Sequence, residues 1–341
     1  MKILIMMTGG TISTTVNENG HLAANGKNTV SLLAERLYRD GFADVEFEYS
    51  HPLDILSENM TFGRLNRLLE AFSEIDPDEY SAIIVAHGTD TLAYTSSLLS
   101  LTLAGWWKKP IFLVSSDYTL TDERANGHDN FRAAVELAER GFGAGVYVPY
   151  RNSDGVIYLH HGAHLRQCAN FTGDFFSHDM CPYLEAKPYK VQAEYPLIGA
   201  LKRLDECVMR IEPYVGIDYS AYSPSSDIRA ILHGSYHSAT ACVERSSVRD
   251  GYTRHSALYL LDVCKKRGID VYLSPLPEHM RASSGTYSTT AELVNRGMKP
   301  IFALTNECAY MKLALAYSLG YEGDEVTLFM EREVASEKIK W

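Results

Sequence analysis

A short apolar run at the start of the chain, which stops at a pair of glycines, constrains the fold more than any other stretch. Residues 2–7 are Lys-Ile-Leu-Ile-Met-Met, and Thr8-Gly9-Gly10-Thr11-Ile12-Ser13 follows. Such a run predicts a buried strand that ends in a tight loop. Ligands of open α/β sheets sit beyond the carboxyl ends of the strands, so this loop is a candidate site. A plain strand-to-loop turn with a surface threonine is the alternative.

The glycines and the threonine of this loop suit acyl transfer. Glycine lets the backbone approach a ligand closely and present N–H groups, so Gly10 is a candidate substrate-binding residue. Thr11 brings a hydroxyl to the same place. A hydroxyl beside backbone donors provides a nucleophile next to an oxyanion hole.

A second predicted strand ends in the same types of residue. Residues 82–86 are Ala-Ile-Ile-Val-Ala, and His87-Gly88-Thr89-Asp90-Thr91 then leads into a helical pattern over 92–103. Parallel strands of one sheet bring their carboxyl ends to one edge. We therefore expect Thr11, Thr89 and Asp90 to meet there, as two hydroxyls and one carboxylate.

Three segments in this order resemble the signature segments of the bacterial L-asparaginase/glutaminase family, cytoplasmic type. They are Thr8–Ile12, the loop Leu56-Ser57-Glu58-Asn59-Met60-Thr61, and His87–Thr91. The resemblance implies that Thr11 forms an acyl-enzyme with the side-chain amide carbon of the substrate. It also implies that Thr89 and Asp90 handle protons together with a lysine.

The resemblance further implies how an amino-acid substrate is held. Ser57 and Glu58 match the family loop that binds the α-carboxylate and α-amino groups, and Gly88 borders the substrate as Gly10 does. A carboxylate beside an ammonium is a charge-assisted pair. Glu292, at the end of the segment 285–292, is similar to the family glutamate that reaches the substrate of a neighbouring subunit. A homodimer or homotetramer is therefore expected, and an exposed helix residue is the alternative for Glu292.

Two positions depart from the family pattern. The tyrosine that supports the nucleophile falls at His21, and the catalytic lysine, counted back from Asp174-Phe175-Phe176, falls at Gln167. Glutamine cannot accept or carry a proton as lysine can. Imidazole titrates near neutrality, so His21 is a candidate base toward Thr11, and a loop histidine that faces solvent is the alternative.

Strand and helix patterns alternate along the chain and predict an α/β fold with two α/β domains. The larger N-terminal domain, residues 1–190, is expected to hold a doubly wound, mostly parallel sheet. Residues 168–225 lose clear periodicity and contain five prolines. Within this stretch, residues 191–225 are expected to form a linker, and an ordered substrate lid is the alternative. A smaller, Rossmann-like α/β domain is expected over 226–341.

Composition narrows the classes of partner. The chain has 341 residues and a net charge of −11, which argues against a nucleic-acid or anionic-membrane binder, because both need a basic face. No stretch approaches a membrane span, and the six cysteines form no Cys-x-x-Cys pair, so a cytoplasmic protein with reduced thiols is expected. His160, His161 and His164 lie close in sequence but have no helix-spaced acidic partner, so we expect no metal site. No cofactor is expected either.

The leading prediction is an amidohydrolase that cleaves the side-chain amide of asparagine or a related small amino-acid derivative. Because the lysine and tyrosine are replaced, the substrate could be a non-standard amide. The alternative is a homologue impaired in catalysis that acts as an amino-acid-binding or regulatory protein.

Overall fold

The computed structural model describes residues 1–16, 22–24, 33–37, 41–42, 44–189, 197–248, 251–282 and 287–340. The chain divides into two compact units. The first is Met1–Ala200 with Val334–Glu337, and the second is Leu201–Glu333 with Lys338–Trp341. Across the described residues, no helix combines the length and apolar character that crossing a bilayer requires.

A seven-stranded sheet forms the centre of the first unit. Its strands are β1 (Lys2–Met7), β4 (Glu46–Ser50), β5 (Ala82–Ala86), β6 (Pro110–Val114), β7 (Gly145–Arg151), β8 (Ile157–His161) and β9 (Cys181–Pro182). The spatial order is β4-β1-β5-β6-β7-β8-β9, parallel from β4 to β7 and antiparallel for the last two strands. A separate antiparallel pair joins β2 (Thr14–Val16) to β3 (Leu22–Ala24).

Among the described residues, the helices that pack on the sheet of the first unit include α1 (Phe62–Ser73), α2 (Leu92–Leu103) and α3 (Gly127–Glu139). The Thr61 side chain caps α1 by accepting from the Arg64 amide, and the helix buries one face, as its sequence pattern predicts. Helix α2 is buried on nearly every side, which fits its run of leucines and small polar residues. The core between layers includes Ile5, Phe112 and Phe131.

The second unit is a four-stranded parallel sheet with helices. The strands are β10 (Val208–Ile211), β11 (Ala230–His233), β12 (Asp270–Leu276) and β13 (Lys299–Phe302), paired in that order. The helices are α4 (Ala257–Lys266), α5 (Ser288–Arg296), α6 (Asn306–Ser318) and α7 (Asp324–Glu331). The expectation of two α/β domains, one with a larger and mostly parallel sheet, is confirmed.

Helix α3 begins at Gly127, because Asp122 accepts from the Arg124 amide in a preceding turn. One prediction about the linker differs from the structure. Val208–Ile211, inside the predicted linker 191–225, forms β10. This strand has only four residues, which is too short for a periodic pattern to predict it.

Candidate functional site

The strand order reverses at β1, and the candidate site lies where it does. β4 pairs with one side of β1 and β5 with the other. In an open α/β sheet, such a switch point leaves a crevice at the carboxyl ends of the two central strands. The loops after β1 and β5, which carry the Thr11 and Thr89 motifs, both begin at this edge.

The two loops are packed backbone against backbone. Gly10 has φ +80°, and a Cβ on it would lie 2.3 Å from both the nitrogen and the Cα of Gly88. Gly9 has φ +106°, and a Cβ there would lie 2.0 Å from the Ile55 carbonyl oxygen. Only glycine meets both requirements, because other residues disfavour positive φ and carry a Cβ.

Thr11 follows these glycines directly. It begins a single 3₁₀ turn, Thr11–Ser13, and is partly exposed, whereas Ile12 and Ser13 are buried. The Thr14 hydroxyl donates to the Thr11 carbonyl at 3.0 Å and fixes the turn. The expectation that both glycines present unused N–H groups is wrong for Gly10, whose amide donates to the Ile55 carbonyl at 2.8 Å.

Ser57 joins the third segment to the second loop. It lies in a 3₁₀ turn, Ser57–Asn59, and is 4% exposed. Its hydroxyl donates to Asp90 Oδ2 at 3.1 Å and accepts from the Asp90 amide at 3.2 Å. The Thr91 hydroxyl donates to the Ser57 carbonyl at 3.0 Å. Glu58, the next residue, is exposed. The Ser57 hydroxyl therefore joins the third segment to Asp90, and Glu58 follows Ser57 in the chain.

Gln167 lies beside the second loop. Its amide nitrogen donates to the Asp90 carbonyl, and its amide oxygen is buried without a hydrogen-bond partner among the described residues. A cavity of about 310 Å³ opens here, and six of the residues that line it have side chains that could bind a substrate or take part in catalysis. They are Thr89, Asp90, Asp117, Tyr150, Gln167 and Cys168.

Within the two loop motifs, His87 has a strongly lowered pKa. It is fully buried, its Nδ1–H lies 2.7 Å from the Gly88 carbonyl oxygen, and burial lowers its pKa to about 4. The imidazole is therefore neutral near pH 7 and helps to fix the Gly88 backbone.

Two predicted site residues belong to other parts of the chain. His21 is outside the described part of the chain. Glu292 lies in the second unit, on α5, where it pairs with Arg245 at 3.0 Å and accepts from the Tyr252 hydroxyl at 3.2 Å. Its carboxylate has partners within its own chain.

The three clustered histidines belong to the core of the first unit. The Nδ1 of His160 contacts the Ser177 hydroxyl at 2.8 Å, and that of His164 contacts Asp179 at 3.0 Å. Burial lowers the pKa of His160 and of His161 to about 3. Among the residues that the structure describes, no cluster of His, Cys, Asp and Glu could hold a metal ion.

Sequence reasoning missed Asp117 and Tyr150, which line the cavity beside Thr89. Asp117 lies three residues after β6 at the same sheet edge, so the rule that located Thr11 and Thr89 could have found it. Tyr150 lies inside β7, and nothing in the local sequence distinguishes it from the other residues of that strand.

Comparison with known proteins agrees with this arrangement. The model of the family "Asparaginase, N-terminal" matches residues 2–197. L-asparaginase of Thermococcus kodakarensis is 29% identical over 357 residues, with 99% of both chains covered. A glutamyl-tRNA(Gln) amidotransferase subunit of Methanococcus maripaludis is 28% identical over 359 residues, covering 98% of this chain and 80% of the relative.

Solved structures show the same fold. The thermostable L-asparaginase of Thermococcus kodakarensis superposes with a TM-score of 0.73 at 23% identity, covering 100% of both chains. L-asparaginase I of Vibrio cholerae gives 0.70 at 20% identity, with 99% of both chains covered. The resemblance seen in the motifs is therefore confirmed over the whole chain, and the protein belongs to the asparaginase family of amidohydrolases.

Proposed function

We propose that the chain hydrolyses the side-chain amide of asparagine or of a related small amino-acid derivative. The observation that carries this proposal is the convergence of three motifs. Gly10 packs on Gly88, and Ser57 is hydrogen-bonded to Asp90. This contact holds the Thr11 and Thr89 loops side by side at the switch point of the sheet.

Thr11 acts as the nucleophile in this proposal. Its oxygen bonds to the amide carbon, the C–N bond breaks, and the hydroxyl proton leaves with the amine. Water then adds to the same carbon, the Thr11 ester bond breaks, and a proton returns to Thr11. The net reaction converts an amide and water into a carboxylic acid and ammonia or an amine.

The remaining site residues hold the substrate. Glu58 and Asp90 offer carboxylates to the α-ammonium, and Ser57 fixes the position of Asp90 by two hydrogen bonds. Gly10 and Gly88 let the backbone approach the substrate. Thr89 acts beside Asp90 in proton handling, with His21 and Gln167 at the positions of the family tyrosine and lysine.

A second candidate function is amino-acid binding without turnover. Gln167 favours it, because an amide cannot carry a proton and its nitrogen already donates to the Asp90 carbonyl. In that case the protein would be a catalytically impaired homologue that acts as an amino-acid-binding or regulatory protein.

Ammonia release and direct binding separate the two functions. The purified protein is incubated with L- and D-asparagine, L- and D-glutamine and N-substituted asparagines, and ammonia or amine is measured. Binding of aspartate and asparagine is measured by calorimetry. Turnover of any of these amides supports hydrolysis, whereas binding without release of ammonia or amine supports the alternative.

We further propose a cytoplasmic homodimer or homotetramer that needs no cofactor. The described cysteines, none of which is paired, fit a reducing compartment. Glu292, on the second unit, would complete the site of a partner subunit. Size-exclusion chromatography with light scattering tests the assembly.

A further inference from the structure

The cavity beside Thr89 is acidic and aromatic. Asp90 and Asp117 line it together with Tyr150, Phe171 and Phe175. No lysine, arginine or histidine is found among the described residues that line it. The proposed function already uses Asp90, with Glu58, to hold the α-ammonium of the substrate, so the Asp117 carboxylate has no counterpart on asparagine itself.

Asp117 is held rigidly at the wall of this cavity. Its Oδ1 accepts from the amides of Tyr118 at 2.8 Å and Asn126 at 3.0 Å. Its own amide donates to the Asn126 side-chain oxygen at 3.0 Å. No ion pair found among the described residues includes Asp117. Arg124 and Arg151, which line the adjoining cavity with it, form ion pairs with Asp122 and Asp129. Its negative charge is therefore positioned but not neutralised by an ion pair.

Tyr150 brings an unpaired polar atom to the same wall. The residue is fully buried, with its ring edge-on to Phe175 at 4.8 Å between centroids. Its hydroxyl has no hydrogen-bond partner within the described parts of the chain. The Asn126 side chain accepts from the Asp117 amide, donates to the Arg151 carbonyl and is the polar side chain that approaches this hydroxyl. Buried hydroxyls without a partner are uncommon, which points to a group that binds here.

Phe171 supplies an exposed aromatic ring at the mouth. It is fully exposed and has φ +61°, at the third position of a turn in which the Thr172 amide donates to the Ala169 carbonyl at 3.2 Å. Strained backbone of this kind often marks a functional loop. Phe171 and Asp117 also line an adjoining cavity of about 740 Å³, so the smaller cavity continues outward between them. This space accommodates more than an unsubstituted amide.

We propose that Asp117, Tyr150 and Phe171 form a second cation-binding subsite, which takes an ammonium group carried by the leaving amine of an N-substituted side-chain amide. A carboxylate and an aromatic face together are a recurrent way of binding an ammonium. The hydroxyl oxygen of Tyr150 can accept from the same ammonium. The inference rests on the proposed function, because it names the substrate class of that site.

The chemistry is the same amide hydrolysis with a different leaving group. The amide C–N bond breaks, the Thr11 proton leaves with the nitrogen, and a diamine departs in place of ammonia. Water supplies the oxygen of the new carboxyl group and returns a proton to Thr11. No oxidant, reductant or further co-reactant is needed.

Three matched substrates test the subsite in the unaltered protein. L-asparagine carrying an aminoethyl, a hydroxyethyl or a propyl group on its side-chain amide nitrogen offers a cation, a neutral donor or neither. We expect kcat/KM for the aminoethyl amide to exceed that for the propyl amide about tenfold or more, the size of a charged hydrogen bond. Equal values for these two, or equal values for aminoethyl and hydroxyethyl, would overturn the proposal.

Variants then locate the effect. Asp117→Asn keeps an oxygen for the two backbone amides and removes the charge, so the preference for the aminoethyl amide should fall about tenfold. Asp174→Asn, which removes a neighbouring carboxylate that accepts from the Ser153 amide, should keep it. A preference that survives Asp117→Asn in a folded protein contradicts the subsite.

Binding to the Thr11→Val variant provides a readout without turnover. Tighter calorimetric binding of the aminoethyl amide than of the propyl amide supports the subsite even if the protein hydrolyses no amide. Conversely, hydrolysis of asparagine with no preference between the two amides leaves the proposed function standing and rejects the subsite. The two proposals therefore fail on different results.

Discussion

Gln167 is the residue that most separates this chain from the family pattern, and its surroundings explain how it is held. Its amide nitrogen donates to the Asp90 carbonyl, next to Thr89, at the wall of the cavity. Counting from a downstream motif led to this residue, and the fold brings it beside the second threonine across 77 positions of sequence. A lysine in the same position would stand beside the Asp90 backbone carbonyl.

Gln167→Lys, alone or with His21→Tyr, is expected to create or raise L-asparagine hydrolysis. A lysine can carry the proton that glutamine cannot, although the gain depends on a lowered lysine pKa. Steady-state ammonia release measures the change. Gln167→Met, of similar length but without proton chemistry, is the matched control. No gain from lysine, or the same gain from methionine, would show that this position does not handle protons.

Backbone contact between Gly10 and Gly88 holds the loops after β1 and β5 together. The sequence predicts where these loops lie but not this contact. The Gly-Thr motifs and the apolar strands before them fixed the edge of the sheet at which Thr11 and Thr89 lie. The contact between Gly10 and Gly88 joins residues far apart in sequence, so no local pattern could reveal it. Tyr150 could not be predicted as a site residue for a related reason, because the cavity that it lines is enclosed by loops distant in sequence.

Gly10→Ala is expected to lower the free energy of unfolding by about 2–4 kcal/mol, from backbone strain at positive φ plus overpacking. The added Cβ would fall 2.3 Å from the Gly88 backbone, so the loops must separate and activity must fall with stability. Gly155→Ala is the matched control, since Gly155 has φ +81° with nothing within 4 Å of its Cβ position. Denaturant unfolding that gives equal losses for both variants would contradict the close packing.

Buried neutral histidines tie the stability of the whole protein to pH. Burial lowers the pKa of His87 to about 4, and His160, His161 and His233 are lowered in the same direction. Between pH 6.5 and about 4 the unfolded chain binds a proton at His87 that the folded chain does not. Stability therefore falls as pH drops through this window.

The contribution of His87 can be isolated by substitution. Between pH 6.5 and pH 5, protonation of His87 in the unfolded chain should lower the free energy of unfolding by about 1–2 kcal/mol. The free energy of unfolding of His87→Gln should therefore fall less steeply as the pH is lowered. His237→Gln, at an exposed site, should follow the parent. Denaturant titrations across this pH range make the comparison. Parallel curves for the parent and His87→Gln would contradict a neutral buried imidazole.

Assembly is tested by subunit mixing, because Glu292 is proposed to act across an interface. Thr11→Val and Glu292→Ala, each weak alone, should regain part of their activity in mixed oligomers, since some hybrid interfaces hold one intact site. Arg245→Ala removes the ion pair within the chain but keeps the carboxylate, so it should keep most activity. A monomer in solution, or no recovery in verified mixed oligomers, counts against the shared site.

The central claim, that Thr11 is the nucleophile of an amide hydrolysis, is tested most directly by one comparison. Ammonia or amine release from the best amide substrate is measured for the parent and for Thr11→Val, which keeps the shape of the side chain and removes its hydroxyl. We expect the variant to fold, with an unchanged melting temperature within a few degrees, and its turnover to fall by roughly three orders of magnitude or more. Hydrolysis by Thr11→Val at the parental rate would contradict the account.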